Sequence, residues 1–193
     1  MNVALDNFRN NRIHPKVFAL VAACVSITMM FVAFTSAYIV RQAAGNWLEF
    51  PMPTYFYIST AIMIFSSILL HGSYLSFKNK NESMYKGLLS GAAVLGIAFV
   101  ICQVQGFYEM EAMGIELTGN PSGSFVYVIA GIHAAHVLAG IAVLGVAMLH
   151  AFALDFNPTP ARKLRFQQTL IYWHFVDVLW VSLLFFFIMQ QTT

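Results

Sequence analysis

The chain has 193 residues, of which 59% are hydrophobic and 9% charged, with a net charge of +2 and a mean hydropathy of +0.71. An ordinary soluble domain carries about 25% charged residues, so ten basic and eight acidic side chains cannot cover a soluble surface of this size. A soluble enzyme, a nucleic-acid binder and a disordered chain are excluded, which leaves an integral membrane protein.

Five apolar stretches are long enough to cross a bilayer, which takes about 20 helical residues. They run over residues 17–40, 55–77, 86–107, 124–152 and 169–189. None shows the alternation of a membrane β-barrel strand. The expected fold is all-α: one membrane domain over residues 1–193, a bundle of five transmembrane helices. The first stretch follows a polar tail, residues 1–16, and is too long for a signal-peptide core, so it is expected to remain as the first span. The fourth is the longest, which implies tilt or extension past the membrane.

Lysine and arginine set the orientation. Arg9, Arg12 and Lys16 precede the first span, Lys78, Lys80 and Lys86 flank the second connection, and Arg162, Lys163 and Arg165 lie in the fourth. The other side has only Arg41, together with Glu49, Glu109, Glu111 and Glu116. The N-terminus is therefore expected inside and the C-terminus outside. All six prolines (Pro15, Pro51, Pro53, Pro121, Pro158, Pro160) fall in connections or just before a helix, where proline is tolerated. Unbroken spans, an odd number of them and the lack of an internal repeat argue against an ion-coupled transporter.

Small residues mark faces for close helix packing: Gly87 and Gly91, with Gly96 beyond, in the third span, and Gly131, Ala135 and Ala139 in the fourth. Cys24 and Cys102 fall at different depths and read as small core residues rather than a disulfide.

The polar residues within the spans are the candidate site, because burying them in lipid is costly. His133 and His136 share a face of the fourth span, His174 and Asp177 share a face of the fifth, and His71 lies in the second. Their depths would let the histidines and Asp177 meet between neighbouring helices. Asp177 is the only acidic residue deep in a span, so it should be paired or protonated. Three readings stand: an Asp–His or Asp–Trp structural clamp, a b-type haem held by two histidines such as His71 with His133 or His136, and a metal or proton-relay site. The haem reading would make the chain the membrane anchor of a respiratory dehydrogenase.

The segment Tyr172-Trp173-His174-Phe175-Val176-Asp177-Val178-Leu179-Trp180 resembles the last-helix signature of cytochrome c oxidase subunit III. Gly131-Ile132-His133-Ala134-Ala135-His136-Val137-Leu138-Ala139-Gly140 resembles a second pattern of the same family, and Gln105-Gly106-Phe107-Tyr108-Glu109 a looser third. The resemblance implies a non-catalytic subunit of a proton-pumping haem–copper terminal oxidase in a bacterial inner (plasma) membrane. The haems and copper would lie in partner subunits, with no cofactor, metal or catalytic residue in this chain. The implied partners are the catalytic subunit I, the other oxidase subunits, membrane phospholipid and a respiratory supercomplex. It also implies that His71, His133, His136, His174 and Asp177 act as inter-helix glue, that the five spans correspond to the last five of the common seven, and that the short form is a bacterial one. Where the family often carries a membrane-buried glutamate, this chain reads Ile27-Thr28-Met29-Met30.

Overall fold

A computed structural model describes residues 14–154, 156–157 and 159–191, so Arg9, Arg12 and Pro158 lie outside the described residues. The described residues form five helices and no strand: α1 (Pro15–Ala43), α2 (Thr54–Lys78), α3 (Glu82–Ala112), α4 (Pro121–Ala153) and α5 (Pro160–Gln191). Each is long and apolar enough to span a membrane. At 1.5 Å per residue, the 33 residues of α4 extend about 50 Å, well past a hydrocarbon core of about 30 Å.

The helices outrun the apolar stretches at their ends, for a local reason. Pro15, Pro121 and Pro160 take the first helical position, where the missing N–H costs nothing. Asn81, Asn120 and Thr159 cap the orphan amides: their side-chain oxygens accept from the N–H groups of Met84, Ser122 and Arg162 at 3.2, 3.0 and 3.3 Å. Arg162, Lys163 and Arg165, expected in a connection, therefore lie on the first turns of α5. Glu109 and Glu111 likewise belong to the last turns of α3.

α1 packs against α4 and α5, α2 against α3 and α5, and α4 against α3 and α5. The longest seam is α2 on α3, closed by the turn Asn79-Lys80-Asn81, in which Lys80 adopts a left-handed φ of 58°. Aromatic clusters plug both ends of the bundle. At the basic end Phe77, Tyr85, Phe156 and Phe166 pack ring on ring. At the acidic end Tyr38 meets Trp47, Phe125, Phe186 and Phe187. Ser122 Oγ donates to the Leu48 carbonyl at 2.6 Å, tying the first connection to α4.

The small residues work at some of the expected positions, Gly91 and Gly96, and at Gly106 besides. A Cβ on Gly96 would sit 2.7 Å from the Trp173 indole, and one on Gly106 would sit 2.5 Å from the Phe56 ring. Gly91 faces Leu69, but a Cβ on Gly87 or Gly131 would meet nothing within 4 Å, and Ala135 and Ala139 are exposed. The Gly131–Ala139 face thus turns away from the bundle. Cys24 and Cys102 are free thiols.

Candidate functional site

The side chains of the α5 signature divide between packing and an outward polar edge. Trp173 and Trp180 lie two turns apart on one face, so both point at the same neighbours. Trp173, 1% exposed, slots between Gly96 of α3 and Gly140 of α4. Its Nε1 donates to Ser66 Oγ at 3.2 Å, and Ser66 Oγ donates in turn to the Ala92 carbonyl at 2.9 Å. One chain of hydrogen bonds thus joins α5, α2 and α3. Trp180 makes a second such bond, joining α5 to α2 alone: its Nε1 donates to Thr60 Oγ1 at 2.9 Å, and Thr60 donates to the Phe56 carbonyl of its own helix at 2.7 Å. The indole also meets Phe56 and Phe99 edge-on and stacks on His133 at 5.0 Å. Tyr172 donates its hydroxyl to the His136 carbonyl at 3.0 Å, and its ring lies near Phe175.

The five polar residues do not form one cluster. His133 is fully buried among Phe31, Phe99 and Trp180, and neither ring nitrogen makes a hydrogen bond. His136 lies one turn on, with Nδ1 2.8 Å from the Ile132 carbonyl and its ring against Phe31. Because only an N–H can bond a carbonyl, Nδ1 is the donor in this contact. The second group lies between α2 and α5. The His71 and His174 rings are 5.7 Å apart, and Asp177 lies one turn from His174, next to Ser67. Ser67 Oγ and Asp177 Oδ1 are buried side by side, with the serine hydroxyl as the side-chain donor to the carboxyl in a contact too loose to form a well-made bond. The two tryptophans donate to Ser66 and Thr60, so the Asp–Trp form of the clamp is absent. His71 faces His174 rather than His133 or His136.

The residues that sequence reasoning missed are serines. Ser59, Ser66 and Ser73 are fully buried on the face α2 turns to α3. Gln103 Nε2 donates to Ser59 Oγ at 2.9 Å, and Ser73 Oγ donates to the Tyr85 carbonyl at 2.9 Å. Their seven-residue spacing was the available signal, since it holds one face of a helix over two turns.

At the basic end a cavity of about 640 Å³ opens between α1, α4 and α5. Leu20, Val143 and Ala147 give it apolar walls, and His150, Arg165 and Gln168 add polar groups.

The family model of cytochrome c oxidase subunit III matches residues 16–191. The chain belongs to this family. It is 33% identical over 130 residues to a probable cytochrome c oxidase subunit 3 of Rickettsia prowazekii, a match covering 67% of this chain and 46% of that protein. It thus spans about half the length of that relative. Two others match over most of their length: the cytochrome c oxidase subunit 3 of Thermostichus vulcanus (29% identity, 88% of this chain and 86% of that one) and that of Corynebacterium diphtheriae (28% identity, 80% and 78%). Membership of the subunit III family gives the dehydrogenase-anchor reading no support. Together with the five spanning helices it makes the chain a multi-pass membrane protein.

Proposed function

We propose that this chain is the non-catalytic subunit III of a proton-pumping haem–copper terminal oxidase in a bacterial inner membrane. It sits beside the catalytic subunit I, and through it the other oxidase subunits and a respiratory supercomplex. There it supports assembly and proton uptake. The haems and copper of the reaction lie in the partner subunits. The observation that carries the reading is the family match along residues 16–191, whose signature tryptophans here lock three helices together. His133 and His136 serve as packing groups around Phe31 and Trp180. Purification through a tag on this chain tests the reading: a haem-bearing subunit should come with it at near equal stoichiometry. Recovery of a stable helical monomer alone would count against it.

The cavity at the basic end suits a phospholipid. Its volume is that of a small-molecule pocket, its walls fit an acyl chain, and Arg165 and His150 offer partners to a headgroup phosphate.

The asymmetry of nine basic residues against Arg41 supports an N-terminus inside and a C-terminus outside. Single cysteines at Asn46 and Gly119 should react with an impermeant thiol reagent added to intact cells. Those at Asn79 and Thr159 should react only after permeabilisation, and the reverse pattern would invert the topology.

A further inference from the structure

In the middle of the bundle, polar groups of α2, α3 and α5 form one directed network. Gln103 Nε2 donates to Ser59 Oγ, and Ser59 Oγ donates to the Phe56 carbonyl, each at 2.9 Å. From the other side Trp180 Nε1 donates to Thr60 Oγ1, which donates to the same carbonyl. Both branches run inward to one acceptor. Ser59 gives its single hydrogen to Phe56, so toward Gln103 it can only accept. That sets the amide with Nε2 toward α2 and makes Oε1 the free end of the network. Gln103 is 1% exposed, and Oε1 is buried without a hydrogen-bond partner.

His133 on α4 is the complementary end. It stacks on Trp180, is fully buried, and neither ring nitrogen has a partner. Buried without an opposite charge, the imidazole is neutral, with one N–H and one bare nitrogen. Phe99 meets His133 edge-on, and Phe107 stacks on Tyr127, so α3 and α4 run antiparallel. Gln103 lies one turn beyond Phe99. Side chains lean toward the N-terminus of their own helix. On this antiparallel pair the lean carries Gln103 and His133 toward each other.

Leaving an amide oxygen and an imidazole N–H unbonded in a dry interior is costly. Their burial excludes an outside helix, a second copy or a lipid as the missing partner. No charged side chain stands among Gln103, Ser59, Thr60 and Trp180, so nothing there holds an ion. The partner must be small, and it must donate to an oxygen and accept from an N–H. Water does both.

We propose that one buried water molecule bridges Gln103 Oε1 and the ring N–H of His133, donating to the amide oxygen and accepting from the imidazole. The bridge brings α4 into the network of the other three helices. The path from His133 through water, Gln103, Ser59, the Phe56 carbonyl and Thr60 ends at Trp180, the ring on which His133 stacks. The bridge does not depend on the subunit reading above.

Cryo-electron microscopy of the protein, purified in native lipid with its bound partners and at a resolution that shows ordered waters, tests the bridge without any variant. The expected result is a density within hydrogen-bonding distance of both Gln103 Oε1 and one His133 ring nitrogen. A direct bond between the two side chains, a density bonded to only one of them, or apolar packing between them would each overturn the proposal. Thermal unfolding of the same preparation gives a second reading. Gln103→Leu and His133→Phe should each lower the melting temperature by about 2–4 °C. The double variant should lose no more than the worse single one, because replacing both ends leaves no unpaired group. Losses that simply add would overturn the bridge.

Discussion

Gly96→Ala is expected to destabilise the bundle by about 1–3 kcal/mol, the usual cost of overpacking a filled core. The added Cβ would sit 2.7 Å from the Trp173 indole, which is held from the other side by Gly140 and pinned through Nε1 to Ser66. The indole cannot retreat without breaking that bond and parting α5 from α2. Gly96→Leu should prevent stable assembly altogether. Trp173→Phe removes the crowded ring atoms, so adding it to Gly96→Ala should return part of the lost stability. Thermal unfolding in mild detergent, followed by circular dichroism, measures all three. Gly87→Ala is the control, since its Cβ would meet nothing within 4 Å and the change should be close to neutral. Equal melting temperatures for Gly96→Ala and Gly87→Ala would contradict the packing around Trp173.

Trp180 gives the second large effect. Its ring is fully buried against Phe56, Phe99 and His133, three residues on three other helices. Trp180→Ala leaves a cavity at that junction and should cost about 3–5 kcal/mol. Trp180→Phe keeps most of the packing and loses the bond to Thr60. Inter-helix hydrogen bonds within membranes average about 0.6 kcal/mol, so the phenylalanine variant should fall by about that amount. The same melting experiment separates ring from bond. A phenylalanine variant as unstable as the alanine one would make the Thr60 bond, rather than the stacked rings, the main support.

The helices were legible because a spanning segment must satisfy its own backbone in lipid, and runs of about 20 apolar residues have no other way to do so. Their ends were less legible. Hydropathy stops where charge begins, whereas α5 continues back through Arg165, Lys163 and Arg162 to its Thr159 cap. The polar cluster was half legible for a geometric reason. Counting residues gives depth along a helix, and depth put His71, His133, His136 and Asp177 within reach of one another. It does not give the direction in which each side chain points around the bundle. That direction separates His133, stacked on Trp180, from Asp177, beside Ser67. Helix periodicity likewise says that Gly131, Ala135 and Ala139 share a face, but not that the face turns outward. The Ser59–Ser66–Ser73 ladder was overlooked because serine is common in membrane helices and becomes informative only when its spacing matches a facing helix.

As proposed, this chain is a partner of a haem-bearing subunit and holds no haem itself. The visible spectrum of the complex purified through a tag on this chain tests it most directly, read for the wild type and for the pair His71→Leu and His133→Leu. Haem bands are expected with the wild type, and the same haem per partner subunit with either variant. No haem bands are expected when the tagged chain is stripped of its partners. A Soret band that stays with the isolated chain and disappears on replacing His71 or His133 would contradict it.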